Sequence, residues 1–230
     1  MDTTPTGTYA LVERLHLRQW AMRAVAPLAA LATNGAGLLD VSWLPRSDAL
    51  AVEPRADLAL RVAGGVLVAT SAALRVAAKG VLVRKTTLTT GGVYGVVRHP
   101  FYLANLVGAL GTFLVAGPLG AAVGAAWVVV AAPLYAATIA GEEKALRRLF
   151  PDAFAAYSAR VRALVPGRPP APRPDARVTW ANLSAEREPP RLLRFLALAV
   201  LVFGLTLTGP AATVTLAVAA AAFAVSHALR

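Results

Sequence analysis

The chain has 230 residues, 57% of them hydrophobic and only 15% charged, with a formal net charge of +11 and no cysteine. Apolar runs this long and numerous exceed what one soluble core absorbs and predict an all-helical, polytopic membrane protein, while the missing cysteine excludes disulfides, thiolate nucleophiles and cysteine metal sites. The lysines and arginines lie between apolar runs rather than on a separate basic domain, so the charge reads as membrane topology and predicts no nucleic-acid partner.

The first twenty residues are polar and mixed in charge and do not have the pattern of a cleaved leader. Six apolar segments follow, at 22–44, 58–78, 101–116, 119–140, 192–208 and 211–229, and predict about six transmembrane helices. The first carries Pro27, Asn34, Gly35, Gly37 and Asp40, which predict a kinked or partly interfacial segment, and Trp20 and Trp43 flank it as interfacial anchors. Arg61 and Arg75 sit near the two ends of the second, where snorkelling to headgroups is a sufficient reading. Basic residues gather at alternate loops. Arg14, Arg18 and Arg23 stand at the first, Lys79, Arg84, Lys85 and Arg98 between the second and third, and Lys144, Arg147 and Arg148 after the fourth. The turns Gly117-Pro118 and Gly209-Pro210 carry none, so the asymmetry places both termini on the cytoplasmic side.

The stretch GGVYGVVRHPFYLANL opens the third segment. Pro100 suits the first turn of a helix, whose free N–H groups attract anions, and Arg98 beside it can take a carboxylate or phosphate through two parallel hydrogen bonds. His99 and Tyr102 add a donor/acceptor and a hydroxylated ring. At about 1.5 Å per residue the third segment climbs roughly 24 Å to the Gly117-Pro118 turn and the fourth descends roughly 33 Å, so Glu142 and Glu143 return to the level of Arg98, His99 and Tyr102. Gly120 and Gly124 allow the fourth helix to pack closely on a neighbour. Beyond it, EEKALRRLFPDAFAAYSARVRALV spaces Leu146, Leu149, Phe150, Phe154, Tyr157, Val161 and Leu164 as an amphipathic interfacial helix bent near Pro151, and PGRPPAPRPD is an extended spacer. The histidines His16, His99 and His227 are too scattered to suggest a metal site.

Taken together, LTTGGVYGVVRHPFYLANL, then EEKALRRLF, then FAAYSARVRALVPG resemble the isoprenylcysteine carboxyl methyltransferase and phospholipid methyltransferase superfamily of membrane enzymes. The resemblance covers 88–167, and Pro151-Asp152 departs from it where relatives carry glycine. It implies S-adenosylmethionine as cofactor, held by Tyr94, Arg98, His99, Pro100, Tyr102, Glu142 and Glu143, with Arg98, Glu142 and Glu143 as the candidate catalytic residues. The implied acceptor is a lipid or other lipophile entering from the bilayer, methylated on oxygen, nitrogen or carbon, and a bacterial plasma membrane is the expected location. The chain then divides into N-terminal membrane helices at 1–87, a cofactor-binding core at 88–167, a proline-rich linker at 168–191 and a C-terminal hairpin at 192–230. Two rival readings stand beside it. One is an NADPH-dependent membrane reductase of sterol-like or isoprenoid double bonds, which shares a histidine-proline motif, although no glycine-rich dinucleotide motif occurs here. The other is a non-catalytic scaffold or transporter, for which the third to sixth segments carry few ionisable or broken positions.

Overall fold

A computed structural model describes residues 16–35, 53–82, 87–168, 177–207 and 209–229. Among these the regular structure is helical. Proline sets many of the starts, because its fixed φ suits the first turn and its missing N–H is no loss there. It opens α2 (Pro54–Val81), α3 (Pro100–Val115), α4 (Pro118–Leu149) and α5 (Pro151–Arg160). Preceding them is α1 (Leu17–Ala30), which contains Pro27 and passes into a π turn at Leu31–Gly35. After the spacer come the short α6 (Trp180–Ala185), then α7 (Glu188–Gly204) and α8 (Gly209–Ala228).

Polar contacts establish which ends of the helices lie together. Arg61, near the start of α2, donates from Nη1 to the carbonyl of Val115 at the end of α3, at 2.8 Å. Arg18, at the start of α1, donates to Tyr102 at the start of α3, at 2.6 Å. The indole of Trp127 on α4 donates to the carbonyl of Ala21 on α1, at 2.9 Å. Thus α1 and α3 run one way while α2 and α4 run the other, with a buried core of Val25, Ala29, Phe113, Trp127 and Tyr135 among α1, α3 and α4. Close approach is bought with small residues: a Cβ on Gly64 would lie 2.7 Å from the carbonyl oxygen of Gly111, and one on Gly124 would lie 2.8 Å from Phe113 Cβ.

The C-terminal hairpin is fastened to α2 by ion pairs. Arg75 donates to Glu188 at 2.7 Å and to Asn105 at 2.9 Å, and Lys79 pairs with Glu186 at 2.8 Å. Arg75 therefore does not merely snorkel. It joins α2, α3 and α7 in a largely buried contact, and Arg61 likewise pairs with Asp57 at 2.8 Å.

The expectation of six transmembrane helices is met only in part. Among the described residues, α2, α4 and α8 are long and apolar enough to cross a membrane. α3 is apolar but has 16 residues, about 24 Å of rise against a hydrocarbon core of about 30 Å. α7 has 17 residues and begins with Glu188, Arg191 and Arg194, and α1 has 14 and carries Arg18 and Arg23. Positions 36–44 of the first apolar segment, with Gly37, Asp40 and Trp43, lie outside the described residues. The fourth segment does not stop near Ala140 but continues as one helix to Leu149, which carries Glu142 and Glu143 beyond its apolar stretch. The interfacial helix ends at Arg160 rather than reaching Leu164, and much of the proline-rich spacer, 169–176, lies outside the described residues.

Candidate active site

The site forms where the α3–α4 hairpin closes on itself. Pro100 is the first residue of α3, so Arg98 and His99 are held immediately before it, and the returning α4 carries Glu142 and Glu143 to the same level. Glu143 receives Arg98 Nε at 3.1 Å and Nη2 at 2.8 Å on a single oxygen, and the same oxygen lies 3.1 Å from His99 Nε2. A carboxylate only accepts, so His99 donates from Nε2 in this arrangement. Arg98 Nη1 donates to the carbonyl of Ser158 at 2.9 Å and also to that of Val161.

These bonds alter the role that sequence alone suggests for Arg98. Its guanidinium is a fork suited to an incoming anion, but here the fork is closed on Glu143 and on two carbonyls, so it fastens the loop rather than offering a seat. The backbone completes the fastening. Arg98 N donates to Arg162 O at 2.8 Å, His99 N to Ala163 O at 3.0 Å and Gly167 N to Val96 O at 2.8 Å, so 161–167 lies against 96–99 instead of continuing the helix. Tyr157, buried on α5, donates its hydroxyl to Tyr94 O at 2.6 Å. Burial pushes that hydroxyl above its ordinary range, with the Glu143 charge adding and the Arg98 charge opposing, so it remains a neutral donor.

A cavity of about 710 Å³ opens beside this clasp, and Tyr94, Arg98, His99, Pro100, Tyr102 and Glu142 all line it. Glu143 is not among the lining residues; it holds Arg98 and His99 from behind. On the cavity wall Tyr102 donates to Glu142 and accepts from Arg18, forming a chain from α1 through α3 to α4. His99 stacks on Tyr102 with ring centroids 5.7 Å apart and rings 24° from parallel, and Tyr135 meets Tyr102 edge-on at 5.6 Å. No side chain caps the first turn of α3, so the N-terminal end of that helix keeps its pull on anions.

Among the lining residues that sequence reasoning assigns to no site are three basic ones, Arg18, Lys79 and Arg191. All three are basic residues near helix ends, and the positive-inside count explains them without assigning a site. Their one usable signal is that each falls at the edge of an apolar segment, in a basic stretch that the sequence places on the same side as Arg98-His99-Pro100.

Comparison with known proteins agrees with the motif. Residues 59–153 match the family described as phospholipid methyltransferase. A similar relative, the cobalt-zinc-cadmium resistance protein CzcN of Cupriavidus metallidurans, is 39% identical over 83 residues, a stretch covering 36% of this chain and 37% of that protein. The chain therefore matches little more than a third of that relative's length. No solved structure matches. The α3–α4 hairpin, the side chains of Arg98, His99 and Glu143 and most of the cavity wall fall inside the matched segment, and over that segment the chain is similar to the phospholipid methyltransferase family.

Proposed function

We propose that the chain methylates a lipophilic acceptor with S-adenosylmethionine bound in the cavity beside the α3–α4 hairpin. The observation that carries this reading is the convergence of His99, Tyr102 and Glu142 on one cavity within the segment that matches phospholipid methyltransferases. The donor set suits a ligand with both cationic and anionic parts. Glu142 is the one carboxylate among the described lining residues, while the uncapped start of α3 favours an anion.

S-adenosylmethionine, when bound, supplies a methyl group on a cationic sulfur, which leaves by in-line displacement. The chain's part is to bind and to align. Glu142 receives an ammonium or ribose hydroxyls and lowers the energy of nearby positive charge. Tyr102 fixes the Glu142 carboxylate through its hydroxyl and is itself fixed by Arg18. The Arg98–Glu143–His99 clasp holds the loop at 96–99 and sets the ring of His99 against Tyr102. A carboxylate acceptor requires no base; for an amine acceptor, Glu142 is within the cavity to take the proton. The residues 88–167 supply this core, and the basic asymmetry of the loops supports placing it at the cytoplasmic face of a bacterial plasma membrane.

Thermal unfolding of the purified full chain tests the reading. S-adenosylhomocysteine raises the midpoint and NADPH does not, since a ligand that binds only the folded state stabilises it by mass action. A shift with NADPH alone would replace methyl transfer by the reductase reading.

A further inference from the structure

We infer that Arg18 and Arg191 form a seat in the cavity wall for the anionic group, phosphate or carboxylate, of an amphiphilic ligand. Both residues stand outside the segment 59–153 that matches the family, one on α1 and the other one turn into α7, yet both line the cavity with Tyr102 and Glu142. Its use as the acceptor's headgroup seat rests on the methyl-transfer reading above.

The cavity wall carries more positive than negative charge. Four of the residues lining the cavity, Arg18, Lys79, Arg98 and Arg191, are lysines or arginines. Lys79 is paired with Glu186 at 2.8 Å and Arg98 with Glu143 at 2.8 Å, and the side chains of both pairs are nearly all buried. Arg18 gives its Nη1 to a neutral hydroxyl, and Arg191 gives its Nη1 to the backbone carbonyl of Glu186 at 3.0 Å. Neither makes an ion pair with a carboxylate among the described residues, although Arg191 lies within the field of Glu188, whose carboxylate is already bonded to Arg75. Two guanidinium charges thus face the cavity against the single carboxylate of Glu142. The proposed cofactor does not correct this excess, because its sulfonium and ammonium outweigh its carboxylate. A second, anionic ligand does, and guanidinium groups bind phosphate and carboxylate oxygens well. An acyl chain on that ligand fits the membrane setting: α2 and α4 are both apolar enough to lie in lipid, and both contribute lining residues.

The test uses the full chain in a neutral detergent and compares binding of dodecyl phosphate, dodecylamine and inorganic phosphate. Dodecyl phosphate is expected to bind about tenfold or more tightly than either of the others, and to lose about tenfold in Arg191→Gln and more in Arg18→Gln with Arg191→Gln. Arg148→Gln, which removes an exposed charge from a side chain that does not line the cavity, is expected to leave binding within about twofold. Arg191 is exposed, so its substitution also guards against misfolding of the double variant. Equal binding of the amine, binding of inorganic phosphate as tight as that of dodecyl phosphate, or an equal loss in Arg148→Gln overturns the inference. So does an Arg18→Gln protein that loses S-adenosylhomocysteine while keeping dodecyl phosphate. Failure here is separable from failure of the methyl-transfer reading. Without an S-adenosylhomocysteine shift the anion seat still stands or falls on these three probes, and with that shift the seat can fail alone.

Discussion

The two ends of the α2–α3–α4 bundle use arginine for opposite purposes. At one end Arg61 pairs with Asp57 at 2.8 Å and covers the carbonyl of Val115 at 2.8 Å, closing the α3–α4 turn with its charge matched. At the other, Arg98 is closed just as firmly on Glu143, but next to it lies a cavity of about 710 Å³ whose wall keeps Arg18, Tyr102 and Glu142 facing inward. A matched arginine builds a scaffold. Polar groups arranged around an opening, and positioned by that scaffold, build a place for a ligand.

Removing the clasp is the severest way to break this contrast. Arg98→Ala leaves Glu143 buried without its main partner and frees the carbonyls of Ser158 and Val161, for an expected loss of about 3–5 kcal/mol in stability. S-adenosylhomocysteine binding is expected to fall by more than about a hundredfold, read by titration on whatever protein remains folded. Glu142→Gln is smaller and sharper, because it removes charge from the cavity wall and keeps the shape. It is expected to weaken that binding by about 10–100-fold while changing the unfolding midpoint little, as the Glu142 side chain is 43% exposed.

At the scaffold end the signature reverses. Gly117 has φ +88°, and a Cβ there would lie 2.6 Å from Arg61 Nη2, so Gly117→Ala is expected to cost about 1–3 kcal/mol of stability with ligand affinity unchanged per folded molecule. Thermal unfolding with and without S-adenosylhomocysteine separates the two effects. The smallest effect belongs to Arg147, 3.5 Å from Glu143 and 60% exposed in its side chain. Arg147→Gln is expected to change stability by less than about 0.5 kcal/mol.

The hairpin was legible in the sequence because rise per residue is nearly constant: 16 residues up and 22 back bring Glu143 to within 3.1 Å of His99. Pro100 as the first residue of α3 was legible for the same kind of reason, a local rule needing no partner. What the sequence could not specify is which donor meets which acceptor. Arg98 near Glu143 follows from depth, but its use as a clasp depends on the carbonyls of Ser158 and Val161, which arrive only because the chain leaves the helix after Arg160. Arg75 looked like a snorkelling residue because its partner Glu188 is 113 residues away, beyond the spacer. The length of α3 also ran against the count of spans: an apolar run marks a buried helix, but 16 residues alone do not establish one that crosses.

The central claim is that the cavity at the clasped end delivers a methyl group to a lipophile. Incubating membranes that contain the full chain with methyl-labelled S-adenosylmethionine and a total lipid extract, then identifying labelled products by mass, measures this directly. The account predicts label in a lipid fraction, reduced about tenfold or more by Glu142→Gln. Label absent from every lipid with folded protein, or undiminished in that variant, would contradict it.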